Sequence, residues 1–183
     1  LKDMMLGAEF DLKYGRWLRS LVFEYIYTKY QSGPYNHDRT ENIGDHIAGM
    51  DDYYNHSIYT GWQHWGQVIG NPLYRSPIYN TDNSIDVRNN RFYALHLGVE
   101  GSPTERLDYR VLTTYQKGWG TYNNPFTKAY KNLSFLVEAK YKFNHNWTVR
   151  GGYAMDFGSE KMYGHNAGFQ LTVTKSGLLT KKK

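Results

Sequence analysis

The sequence predicts an all-β chain: an antiparallel up-and-down transmembrane β-barrel, of which about seven strands are present and which is part of a larger barrel. Three observations carry that expectation. Period-two alternation of apolar and polar side chains is the dominant signal and recurs along the 183 residues. The alternating runs are about 9–12 residues long, where strands of soluble proteins typically run 5–6 and a tilted bilayer crossing needs roughly 9–11. Short turns alternate with longer connections, as in outer-membrane barrels.

The first run places Leu6, Ala8, Phe10 and Leu12 on one face and Glu9, Asp11 and Lys13 on the other. The turn Tyr14-Gly15-Arg16 leads into a second run from Trp17 to about Lys29, in which Leu21, Phe23, Tyr25 and Tyr27 share a face. Regular patterning then stops between residues 30 and 89. It resumes with Tyr93, Leu95, Leu97 and Val99 opposite Ala94, His96, Gly98 and Glu100. After the breaker-rich turn 101–106, Leu107, Tyr109, Val111, Thr113 and Tyr115 oppose Asp108, Arg110, Thr114 and Gln116. A loop is expected at about 118–131, followed by Leu133, Phe135, Val137, Ala139, Tyr141 and Phe143 against Ser134, Glu138, Lys140 and Lys142. The tight turn Asn144-His145-Asn146 precedes Trp147, Val149, Tyr153, Met155 and Phe157, and a longer connection at 158–165 precedes Ala167, Phe169, Leu171 and Val173. No helix is expected.

Composition narrows the function classes. Having no Cys excludes a disulfide scaffold, a Cys-ligated zinc site and thiol catalysis. A mean hydropathy of −0.72, without an 18-residue apolar run, excludes a helical membrane span. An aromatic content of 17% argues against disorder. A net charge of +5 without a dense basic patch does not favour nucleic acid, and the tail 180–183 reads as a solvated end. The start, Leu1-Lys2-Asp3, has neither the basic nor the apolar region of a signal peptide, so the chain reads as a mature product or a piece of something longer.

Charges of both signs on the polar face, among them Glu24, Glu100, Asp108, Arg110, Glu138, Lys140 and Arg150, fit a wet or plugged lumen better than a dry sandwich core. Aromatics near the turns, such as Trp17, Phe143, Trp147, Trp119, Tyr122, Phe126 and Tyr130, suit interfacial girdles. Seven is an odd count, and an unpaired first strand would leave an edge in lipid. Residues 1–183 are therefore expected to be the C-terminal part of one barrel with a long external loop at 30–89. The expected partners are outer-membrane lipid and N-terminal strands of the same barrel.

The long loop carries Gly49-Met50-Asp51-Asp52-Tyr53-Tyr54-Asn55, Trp62-Gln63-His64-Trp65-Gly66 and Ile69-Gly70-Asn71-Pro72-Leu73. With Tyr27 to Pro34, Gly118 to Tyr122 and Thr174 to Leu179, these segments resemble the Wzi-type capsule-assembly proteins, in the version found in Bacteroides-like bacteria. The resemblance implies a bacterial outer-membrane barrel without enzymatic activity, a surface lectin that helps attach exported capsular polysaccharide. It also implies a barrel much larger than seven strands, and the Lys181-Lys182-Lys183 tail departs from the aromatic or apolar end usual for barrels.

The residues themselves supply carbohydrate chemistry. Sugar rings need flat aromatic surfaces with polar groups beside them. Tyr53, Tyr54, Trp62 and Trp65 offer the first, and Asp51, Asp52, Asn55, Gln63 and His64 the second. Arg75, with Arg39 and Arg88, would favour an acidic polysaccharide. The alternative role for these side chains is packing the loop into a lid or plug. His37, His46, His56 and His64 show no metal-ligand spacing, and adjacent Asp51 and Asp52 are not placed to flank a sugar as glycosidase carboxylates do, so neither a metal or cofactor nor catalysis is expected. Two other readings stay open: an outer-membrane solute channel or sugar porin, and a soluble all-β carbohydrate-binding module.

Overall fold

The computed structural model describes residues 3–13, 15–30, 36–37, 47–48, 53–55 and 61–177. Period-two alternation builds seven strands: β1 (Met4–Asp11), β2 (Ser20–Tyr27), β3 (Phe92–Gly101), β4 (Leu107–Gly120), β5 (Pro125–Lys142), β6 (Trp147–Gly158) and β7 (His165–Lys175). Each pairs antiparallel with its neighbours in the chain, giving one meander in the order β1 to β7. Among the described residues the sheet does not close on itself, and β1 and β7 are its two edges.

The register sorts the side chains into two unlike faces. On one, hereafter the outer face, Phe10, Leu21, Val99, Val111, Val137, Tyr153 and Phe169 form a row across all seven strands. The neighbouring row is Ala8, Phe23, Leu97, Thr113, Phe135, Met155 and Ala167. Nothing among the described residues packs over these rows: Leu97, in the middle of a central strand, is 46% exposed and Phe169 is 73% exposed. In water such a face forgoes roughly 25 cal/mol for each Å² of apolar surface left uncovered. The opposite, inner face carries the row Asp11, Ser20, Glu100, Arg110, Glu138, Gly152 and Gln170.

The buried apolar side chains, Ile26, Tyr54, Val87, Phe92, Ala94 and Met162, gather at one end of the inner face and in the connection that covers it. Leu73 and Tyr74, from the connection between β2 and β3, pack on Ile26, Phe92 and Ala94. Two further contacts fasten the backbone there: the Gln116 amide of β4 donates to the Leu73 carbonyl at 2.9 Å, and the Tyr163 hydroxyl, from the β6–β7 turn, donates to the same oxygen at 3.0 Å. The core is thus where loop meets sheet.

Three boundaries differ from expectation. The loop expected at 118–131 is mostly strand, because β4 runs to Gly120 and β5 starts at Pro125, leaving 121–124 as the turn. Gly118, Gly120 and Asn123-Asn124-Pro125 look like breakers, yet an irregularity between Gly118 and Gly120 absorbs the mismatch and the ladder continues. Gly120 adopts φ 80°, and a Cβ there would meet the Asn124 carbonyl and Phe126 nitrogen at 2.8 Å, so only glycine fits. Trp119, Phe126 and Tyr130 therefore sit on strands that run 14 and 18 residues, beyond the expected 9–12. β2 begins at Ser20, not Trp17, and ends at Tyr27, with Leu12 and Trp17 in the preceding turn. The contrast between short and long connections rests chiefly on the segment between Tyr27 and Phe92, since β6 and β7 are joined by 159–164. That long segment includes two ladders of two residues a side, Asn36–His37 with Ile47–Ala48 and Gln63–His64 with Gln67–Val68, and one 3-10 turn, Pro77–Tyr79. The tail 180–183 lies outside the described residues.

Candidate functional site

The aromatic cluster of the long connection is built on a close backbone approach. Gly61, at φ 70°, lies so near Tyr53 and Tyr54 that a Cβ would meet the Tyr53 carbonyl at 2.7 Å. This approach lets the Trp62 amide donate to the Tyr53 carbonyl at 2.9 Å. The rings of Tyr53 and Trp62 then stack, with centroids 5.4 Å apart and planes 6° from parallel. Both rings remain about half exposed.

From that stack a continuous series of ring contacts leads into the core. Tyr53 meets Tyr54 edge-on at 5.5 Å, Tyr54 lies 4.5 Å from Tyr74, and Tyr74 meets Phe92 edge-on at 5.1 Å. Tyr53 is exposed, Tyr74 is partly buried, and Tyr54 and Phe92 are buried. Burial pushes the Tyr74 hydroxyl up to about 12, with a smaller contribution from Tyr54, and raises Tyr54 as well. The exposed pair is thereby tied to the sheet through rigid rings.

Trp65 occupies the tip of the Gln63–Val68 hairpin. Trp65 and Gly66 both have positive φ, 50° and 72°, the geometry of a two-residue I′ turn. A bulky residue at such a position carries backbone strain. The tip is held from behind, where the Ile78 amide donates to the Gly66 carbonyl at 2.9 Å and the Val68 amide to the Ser76 hydroxyl at 3.1 Å. Trp65 itself packs against little and is 88% exposed.

The polar residues expected to face a sugar divide into two groups. Asn55 and Gln63 are engaged within the loop. Asn55 exchanges two 2.8 Å hydrogen bonds with the Val87 backbone, and Gln63 donates to the carbonyls of Tyr54 at 2.9 Å and Ile85 at 3.0 Å. Arg75 donates to Asn80 Oδ1 at 2.7 Å and to the Tyr79 carbonyl at 2.6 Å. Burial, then the neighbouring Arg88, lower its pKa, and its Nε is buried without a partner. Arg88 is paired with Asp82, whose carboxyl that guanidinium holds down at about 2. His64 is exposed on the hairpin, with its ring edge-on to Trp65 at 6.3 Å. Asp51, Asp52, Arg39, His46 and His56, and the side chain of His37, lie outside the described residues. Among the described residues no three His, Asp or Glu side chains come together as metal ligands would.

Tyr74, Gln116, Tyr163 and Phe92, which anchor this cluster, did not stand out in the sequence. Gln116 reads there as an ordinary polar-face member of an alternating run, and its burial against the Leu73 carbonyl depends on a distant segment.

At the other end of the inner face lies an open cavity of about 270 Å³, lined by charges that include Arg19, Glu100, Asp108, Arg110, Glu138 and Arg150. Asp108 pairs with Lys142 at 3.0 Å and Lys140 at 3.6 Å, and Glu138 lies 3.4 Å from Arg110 and 3.7 Å from Arg150. At this end of the inner face Asp108 and Glu138 thus pair with four cations in a ladder, while Tyr53, Trp62 and Trp65 of the connection stay exposed. In comparisons with known proteins, no family model, no curated protein and no solved structure matches the chain.

Proposed function

We propose that the chain is part of a non-enzymatic bacterial outer-membrane β-barrel that binds capsular polysaccharide at its external end and helps attach or assemble the capsule at the cell surface. The observation that carries this reading is that one sheet has an uncovered apolar outer face while the connection capping its inner face holds Tyr53, Trp62 and Trp65 out to solvent. Along β5 and the extended residue that follows it, the outward apolar and aromatic positions run from Leu133 to Phe143, roughly 33 Å of chain and about 25 Å of height at barrel tilt, which is the band a bilayer requires. The unpaired edges of β1 and β7 would be prohibitive in lipid, so further strands of the same barrel close the wall. The Wzi-type resemblance of the WQH and IGNP segments points the same way.

In this reading Tyr53, Trp62 and Trp65 take the apolar faces of sugar rings, and His64, Asp51 and Asp52 take hydroxyls. Tyr54, Asn55, Gln63 and Arg75 hold that surface in place, with Arg75 also supplying positive charge behind it. The test is the double substitution Trp62→Ala with Trp65→Ala in the full-length protein. Capsule retention should fall while the barrel stays heat-modifiable on gels; retention equal to the parent would overturn the assignment.

The charged ladder of the inner face favours a second reading, a solute channel that conducts through its lumen. Single-channel recording separates the two, because a steadily open pore would contradict a purely adhesive role.

A further inference from the structure

The lysines of this sheet are treated in two ways. Lys140 and Lys142, on the inner face, share Asp108. Lys117 and Lys131, on the outer face, stand directly opposite one another across β4 and β5, a like-charge pair that costs stability in an antiparallel ladder. Lys29 joins them from the end of β2, with its ammonium 4.6 Å from the centre of the Trp119 ring, while that of Lys117 is 5.7 Å from the same ring. None of the three has a carboxylate partner among the described residues.

Their height on the sheet is equally specific. Lys117 and Lys131 are two residues beyond Tyr115 and Leu133, the last apolar pair of the outer face, and so about 7 Å further along the strands. They share their row with Tyr27 and Tyr93. Tyr93 in turn touches Trp119 at 5.9 Å and Tyr115 at 6.0 Å. This is the end of the sheet that bears the long connection.

We infer that Lys29, Lys117 and Lys131, with Tyr93 and Trp119, form a docking surface for the phosphorylated head group of a glycolipid in the outer leaflet. The inference rests on the membrane reading above. A phosphate resting between Lys117 and Lys131 neutralises the opposed charges and supplies the anion that no described residue does. The rings of Tyr93 and Trp119 lie beside it at the level where aromatic side chains meet head groups, and offer flat faces to the attached sugar. At the opposite end the outer face presents Lys175, whose ammonium already lies 5.1 Å over Trp147 and is bound to the His145 carbonyl.

The test uses the full-length protein reconstituted in phosphatidylcholine vesicles with added lipid A, dephosphorylated lipid A or phosphatidylglycerol, and counts lipid retained by native mass spectrometry. Lipid A should be retained over both others. Lys117→Gln with Lys131→Gln should reduce that retention roughly thirtyfold, as two lost charges near an anionic surface imply. Lys175→Gln should leave it unchanged. Lys131→Glu should abolish retention and raise thermal stability, since an opposite pair replaces a like one. Equal retention by parent and double variant, or equal retention of phosphatidylglycerol, would overturn the docking surface while leaving the barrel intact. Failure of the parent to insert into any vesicle would overturn the membrane reading, and this inference with it.

Discussion

The two faces of the sheet share the same backbone and differ in what each side chain has for company. On the inner face Asp108 and Glu138 pair with lysines and arginines, Gln116 and Tyr163 grip one carbonyl, and a small apolar core receives the long connection. On the outer face Phe23, Leu97, Val137 and Tyr153 stand in rows with no second layer over them. The difference teaches that, among the described residues, internal packing covers one side of this sheet and leaves the apolar rows of the other open. Stability should therefore respond to substitution very unequally on the two sides.

Phenylalanine truncations give the largest contrast. Phe92→Ala removes a fully buried ring that seats Tyr74, and should cost about 3–5 kcal/mol while releasing the connection to protease. Phe169→Ala, on the uncovered face, should change thermal stability in detergent far less, and comparable losses at the two positions would break the contrast.

Alkaline titration comes next. Tyr74 has a folded value of about 12 against 10.0 unfolded, so its neutral ring stabilises fully below pH 10 and that contribution is lost as pH rises to 12. The connection should loosen across that window by about 2–3 kcal/mol, read as protease sensitivity, and Tyr74→Phe should flatten the response. An unchanged response in that variant would place the titrating group elsewhere.

The ion pairs of the inner face should matter least. Glu138→Gln separates Arg110 and Arg150 from their shared carboxylate, yet these arginines are partly solvated, and the loss should stay below about 1 kcal/mol by thermal unfolding. A larger loss would mean that the ladder is a structural network.

Much of this contrast was legible from alternation alone, because period two assigns each residue to a face before any contact is known. It placed Leu97 and Val137 with the apolar set and Glu138 and Arg110 with the polar set, and the register agrees. It failed at the join of β4 and β5, where Gly120 and Pro125 signal a break and the ladder tolerates both. It could not show that Asn55 and Gln63 spend their amides on backbone within the loop, or that Gly61 sets Tyr53 against Trp62. Those facts depend on which distant segments meet, and that information is not periodic. An exposed Trp65 and a buried Tyr54 look alike in sequence for the same reason.

The central claim, that the apolar face meets lipid, is open to one direct measurement. The chain has no native Cys, so single cysteines can be introduced from Leu133 to Tyr141 along β5, spin-labelled in the full-length protein and scanned in bilayers. The account expects odd-numbered positions such as Phe135, Val137 and Ala139 to be accessible to oxygen dissolved in lipid. Even-numbered Ser134, Leu136 and Glu138 should be shielded from it. Odd-numbered positions accessible to a water-soluble relaxant, or buried from both, would contradict it.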